Sequence, residues 1–172
     1  AGAVGLSAIM AAKLTGADPI IAVDVKQDRL NLAAELGATH GLNAREGGVA
    51  AKIRDIVSRG VQFAFDTSGN EQAFEDAIGC LRFGGTFGFV TAPSWGGKFS
   101  LGATPVVVHA LNLQGIVMGT ARPREFLPFL LDLNKSGRFP YERLIKTYNF
   151  TDINQALHDS HTGATIKPVL IM

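Results

Sequence analysis

Apolar, β-branched runs of strand length alternate with stretches of helical periodicity along the chain, each bounded by Gly, Pro, Asp or Asn. Few architectures accept that rhythm. Consecutive parallel strands need a crossover between them, and helical crossovers cover both faces of the sheet, so the strands read as continuous apolar runs. The pattern predicts strands over 19–24, 40–43, 61–66, 86–90 and 113–118, with helices over 4–14, 27–36 and 49–57. A further helix carries Ala73, Phe74, Ala77, Ile78 and Leu81 on one face and is expected to stop at Gly84-Gly85. Residues 92–104, rich in Gly, Pro and Ser, read as an exposed loop with a short turn. After Met118 come helices over about 124–135 and beyond Thr151, then a closing strand over 166–171. The fold class is therefore α/β: one doubly wound parallel sheet with a C-terminal helix-strand extension from about residue 140.

A length of 172 residues, 47% of them hydrophobic and 18% charged, suits one domain with a real core. The net charge of +1 supplies no basic field for nucleic acid. No apolar run reaches the roughly 20 residues that a membrane helix needs. The apolar opening lacks an initiator Met and a basic leader, so it reads as a glycine loop entering a helix rather than a signal peptide. A single cysteine, Cys80, excludes an internal disulfide and a thiolate-rich zinc site, and it agrees with a reducing cytoplasm. Asn149-Phe150-Thr151 matches a glycosylation acceptor, but so short a pattern arises by chance.

Gly2-Ala3-Val4-Gly5 opens the first helix, and Asp24 ends the strand that follows, 22 positions after Gly2. In a dinucleotide site this spacing has a mechanism. Gly2 lets the backbone approach a pyrophosphate, Gly5 lets the helix pack closely on a strand, and the helix N-terminus offers free N–H groups to phosphate. Asp24 is then placed to accept hydrogen bonds from a ribose and to repel a 2′-phosphate, which favours NAD over NADP. The first glycine of such a motif belongs two residues before Gly2, after a hydrophobic strand. Since the sequence starts at Ala1, the expected sheet lacks its first, central strand.

The opening residues 1–10 with Ile20-Ile21-Ala22-Val23-Asp24 resemble the coenzyme domain of zinc-dependent medium-chain alcohol dehydrogenases, a Rossmann domain. Glu35-Leu36-Gly37-Ala38-Thr39, Phe65-Asp66-Thr67-Ser68-Gly69, Arg82-Phe83-Gly84-Gly85-Thr86 and the ending Ile166-Lys167-Pro168-Val169-Leu170 agree in order, so the resemblance covers the whole chain. The tail, Tyr148-Asn149-Phe150 through Asp152-Ile153-Asn154-Gln155-Ala156, is most like aryl (benzyl) alcohol dehydrogenases. By matching motif, the resemblance assigns Gly2, Ala3 and Val4 to the pyrophosphate turn, and Asp24 with Arg29 to the adenosine ribose. It puts Thr67 and Ser68 at the adenine and ribose edge, Phe89, Thr91, Ile116 and Met118 around the nicotinamide, and Lys167 on the pyrophosphate. Lys in place of the commoner Arg keeps the charge and loses the bidentate fork. The resemblance also implies a catalytic domain before this one that carries the zinc ligands, an extension from about residue 140 that returns to it, and an alcohol or aldehyde substrate. It implies a homo-oligomer, dimer or tetramer, that extends the sheet through the outer edge of strand 113–118.

Plainer readings apply to the remaining candidates. His158 and His161, with Asp159 between them, have no evident third ligand and read as surface. His40 and His109 read as structural, Cys80 as a buried small hydrophobe, and Trp95 as an aromatic anchoring a loop or contact. Arg29 is the weakest transfer, because a long cation at a helix start is usually solvated. A methyltransferase shares the glycine loop and the acid, and a non-catalytic binding or oligomerisation module is a further alternative. A short-chain dehydrogenase is disfavoured because neither Tyr141 nor Tyr148 has Lys four positions later, and a P-loop because Gly97-Lys98 is followed by Phe99.

Overall fold

Leu6 with Ile9 and Met10, three and four residues further on and therefore on the same face, are the buried residues of the first helix, α1 (Ala3–Leu14). They cluster with Ile20 and Ala22 of the following strand region and with Leu30, Ala33 and Leu36 of the next helix. Burying each of the larger side chains contributes about 1.5–3 kcal/mol, which is why this repeat of helix, strand, helix holds as a unit. The computed structural model describes residues 1–92 and 96–172. Along it run β1 (Ile21–Asp24), α2 (Gln27–Leu36), β2 (His40–Asn43), α3 (Val49–Ile56), β3 (Val61–Asp66), α4 (Glu71–Gly79), β4 (Leu81–Phe89) and α5 (Ala103–Val108). They are followed by β5 (Asn112–Gly115), α6 (Pro123–Lys135), β6 (Ile145–Asn149), α7 (Ile153–Thr162) and β7 (Lys167–Ile171). The Trp95 reading falls outside the described residues.

Every strand pairing among the described residues is parallel: β1 with β2, β3 with β4, β4 with β5, and β6 with β7. The fold is a doubly wound α/β arrangement of the Rossmann type, and β1 and β3 are not paired with each other. Among the described residues, each therefore keeps one edge without a paired strand. Val49, Ile53 and Cys80 make a second core beneath β1 and β2, and Phe74, Leu81 and Phe87 a third around the other strands. In the third, the ring of Phe74 stacks on Phe99 at 3.9 Å and meets Phe87 edge-on at 4.7 Å.

Three expectations need correction, and one strand was not expected. α4 ends at Gly79, with Cys80 as its cap, so Gly84-Gly85 does not stop it and Leu81 belongs to β4. Residues 82–85 instead form an irregularity between the Val61↔Leu81 and Phe63↔Thr86 pairs, which the left-handed Gly84 (φ +70°) permits. The strand expected over 113–118 spans Asn112–Gly115, because Met118, Gly119 and Thr120 take φ of 50°, 61° and 55° and turn the chain out of extension. Within 92–104 the chain already enters α5 at Ala103, where the run Val106-Val107-Val108 argues against helix on propensity. β6 has no counterpart in the sequence reading.

Candidate functional site

Parallel strands place their C-terminal ends along one edge of the sheet, and the loops leaving that edge carry most of the candidates. Gly2 is the N-cap of α1, with no side chain to satisfy the first N–H groups of the helix. A Cβ added at Gly2 would meet nothing within 4 Å, so the approach to the helix start is open. A Cβ at Gly5 would stand 3.2 Å from Thr67 Oγ1, which shows how closely α1 lies against the loop after β3. Ala3 is half-buried and Val4 exposed at the same helix start.

Asp24 ends β1 beside that helix. Oδ1 accepts from the Lys26 N–H at 2.9 Å, and Oδ2 accepts from the amino group of Ala1. Burial alone would raise the carboxyl pKa. The bond from Ala1, the Lys26 N–H, the charge of the amino group and the Val25 N–H outweigh it, and hold Asp24 below the usual carboxylate range. It is ionised at neutral pH.

Asp66 ends β3 and organises the loop that follows. Its Oδ1 accepts from Ser68 N–H at 3.1 Å and from Ser68 Oγ at 2.6 Å, and its Oδ2 accepts from Gly69 N–H at 2.9 Å. Sequence reasoning gave Asp66 no role, although an acid directly before Thr67-Ser68-Gly69 is the signal for such a turn. Thr91 follows β4, and its Oγ1 is buried and finds no hydrogen-bond partner among the described residues. That hydroxyl lies 3.0 Å from where a Cβ of Gly69 would stand, so the loops after β3 and β4 meet there. A buried unsatisfied hydroxyl costs about 1–3 kcal/mol, which a ligand donor or acceptor at this point would offset.

The other candidates separate. The Phe89 ring is packed with Phe74, Phe87 and Phe99, and its carbonyl accepts from Ile116 N–H at 2.9 Å. Ile116 covers Gly88, where a Cβ would come within 2.8 Å of its Cδ1. Met118, 77% exposed, starts the left-handed turn. Arg29 is buried rather than solvated, and Nη2 donates to the Gly163 carbonyl. Lys167 is exposed at the start of β7, opposite Ile145.

Among the described residues no group of three or more His, Cys, Asp or Glu side chains is placed to hold a metal ion. Asp159, flanked by His158 and His161, is instead engaged by Tyr148, Gln155 and Lys146. Burial pushes the Cys80 thiol up to about 11, and Cys80 carries no nucleophilic thiolate at neutral pH. No helix of the described residues is long and apolar enough to cross a membrane.

A family model described as zinc-binding dehydrogenase matches residues 3–134. Geraniol dehydrogenase of Castellaniella defragrans is 37% identical over 99% of this chain and 46% of its own length. Among solved structures, an alcohol dehydrogenase zinc-binding domain protein from Burkholderia ambifaria superposes with a TM-score of 0.97 at 44% identity, over 100% of this chain and 46% of that one. Benzyl alcohol dehydrogenase from Acinetobacter calcoaceticus gives a TM-score of 0.96 at 39% identity, over 99% and 47%. The chain thus spans about half the length of the relatives it matches. With three quarters of its residues inside the family model and a fold shared along its whole length, the chain belongs to the zinc-binding dehydrogenases and is a nucleotide-binding domain of the medium-chain alcohol dehydrogenase family.

Proposed function

We propose that this chain is the coenzyme-binding half of a NAD-dependent zinc alcohol dehydrogenase, and that the catalytic half and its metal ligands lie outside it. The observation that carries the reading is the Asp24 carboxylate at the end of β1, fixed by the Lys26 N–H at 2.9 Å, beside the open N-terminus of α1. Gly2 admits the pyrophosphate to the free N–H groups of α1, with Ala3 and Val4 completing the turn, and Asp24 receives the adenosine ribose. Thr67 and Ser68, held in place by Asp66, border the ribose and adenine edge. The Thr91 hydroxyl, without a partner among the described residues, is given to the nicotinamide end, as are Phe89, Ile116 and Met118 by the resemblance. Lys167 contributes a cation to the phosphates. The bound NAD supplies the hydride acceptor, while these residues supply orientation and electrostatics.

Relatives named for benzyl alcohol and geraniol suggest a substrate whose carbinol carbon adjoins an unsaturated one, aryl or allylic. A free buried thiol suits a reducing cytoplasm. The test is calorimetric titration of the complete dehydrogenase with NAD and with NADP. NAD is expected to bind at least about tenfold more tightly, a margin in keeping with one charge-assisted contact. Equal affinities would remove the role given to Asp24.

A further inference from the structure

Asp66 is 7% exposed, and its carboxyl group is committed to the loop that follows β3. Oδ1 takes both the N–H and the hydroxyl of Ser68, and Oδ2 takes the Gly69 N–H. Among the described residues no cation pairs with it. The Ser68 hydroxyl has a single proton, which goes to Asp66, and its oxygen accepts from the Asn70 N–H at 3.1 Å. Asn70 in turn caps α4, its Oδ1 accepting from the Ala73 N–H at 3.1 Å. The loop is thus tied at both ends, to the end of β3 and to the start of α4.

The same loop is pressed against its neighbour. Gly69 is left-handed at φ +67°, and a Cβ on it would lie 2.9 Å from the Ala92 carbonyl oxygen and 3.0 Å from Thr91 Oγ1, so the approach needs glycine on both counts. The Val90 N–H donates to the Asp66 carbonyl at 3.2 Å, and backbone and side chain of Asp66 therefore act on the two loops together. On the other side, Thr67 Oγ1 lies 3.2 Å from where a Cβ of Gly5 would stand, against α1. Asp66 thus holds the place where the loops after β3 and β4 converge beside α1. The buried hydroxyl of Thr91 stands at that junction with no partner among the described residues. With the Ser68 proton held by Asp66 and no side chain on Gly69, that hydroxyl stays open to a ligand.

We infer that Asp66 is a positioning residue for the cofactor: it holds Gly69 against Thr91 and Ala92, fixes the gap between the two loops, and keeps the Thr91 hydroxyl uncommitted until a ligand arrives. The inference rests on the reading of these loops as part of the NAD site. A polar group held unpaired by its surroundings needs no rearrangement when the ligand binds, and that lowers the cost of binding.

The test is NAD affinity of the complete dehydrogenase by calorimetry, with thermal melting as the control for folding. Hydrogen exchange at the Ser68 and Gly69 amides reads the junction itself, without cofactor. Asp66→Ala is expected to speed exchange at both amides and to weaken NAD binding about tenfold, the scale of losing buried hydrogen bonds. Asp66→Asn keeps one acceptor oxygen of the two and should recover part of the affinity. In both variants KM for NAD should rise, with kcat at saturating NAD changed far less. Gly69→Ala forces the same two loops apart, so it should also weaken binding, and the double variant Asp66→Ala with Gly69→Ala should bind no worse than the weaker single variant. If Asp66→Ala does not fold, Asp66→Asn takes its place in the cycle. Full NAD affinity in a folded Asp66→Ala, with only its melting lowered, would make Asp66 a structural cap and overturn the inference. Losses that multiply in the double variant overturn it too, since the two changes would then act through separate contacts. In both of those outcomes the unaltered enzyme binds NAD; an unaltered enzyme that binds none rejects the functional reading, and the role of Asp66 with it.

Discussion

On the proposed reading Asp24 is the residue on which cofactor choice turns, because a carboxylate there can accept from two ribose hydroxyls and repels a phosphate in their place. Asp24→Ser keeps a hydrogen-bonding group and removes the charge. In the same titrations the variant should lose affinity for NAD and gain it for NADP, so that the ratio between them narrows by about tenfold. An unchanged ratio would place selectivity elsewhere. The placement of Asp24 was legible because its signal is local: a strand ending on an acid, a fixed distance from a glycine-opened helix. Arg29 was not legible in the same way. Its partner is a backbone carbonyl 134 positions away, and a carbonyl has no letter in a sequence. The unsatisfied hydroxyl of Thr91 is likewise a property of packing, since any threonine after a strand looks the same until its surroundings are known.

Elements followed the sequence where helical periodicity or a strand-length run is bounded by Gly, Asp or Asn. α2, β2 and β3 fall over 27–36, 40–43 and 61–66 as expected. β6 was missed because Ile145-Lys146-Thr147-Tyr148-Asn149 is mostly polar, and it is strand only through its pairing with β7. Its hydrogen-bonding side chains have a measurable consequence. The Tyr148 hydroxyl, Gln155 and Lys146 together lower the pKa of Asp159 from its ordinary 3.8 to about 2. A depressed carboxylate stabilises the fold above its unfolded pKa, and that contribution is lost as pH falls through the folded value. Asp159→Asn should therefore melt below the unaltered protein at pH 6, with the gap closing between about pH 4 and pH 2; a gap independent of pH would show that the charge is irrelevant. β5 raises a different question, since its residues are exposed and it is the outer strand of its sheet. Unpaired edges are normally covered or joined. We expect a second copy to pair with it, making the complete enzyme at least a dimer by sedimentation at micromolar concentration; a monomer would count against this.

For the molecule as a whole, the decisive expectation is negative. The 172-residue chain supplied with zinc, NAD and benzyl alcohol should show no turnover, because alcohol activation needs a three-ligand open metal site and the described residues hold no such group. Zinc-dependent turnover by this chain would refute the division of labour proposed here. The sequence by itself determined the alternation of strand and helix, the parallel α/β class, the glycine-opened helix with its acid, and the family resemblance. All of these rest on periodicity or on motifs of neighbouring residues, where the physics is local. Tertiary structure alone decided that β6 forms by pairing with β7, where β4 takes up its irregularity at Gly84, and how Lys26 and Arg29 reach the end of α7. Those outcomes depend on backbone atoms meeting across long stretches of chain, and backbone atoms are the same at almost every position.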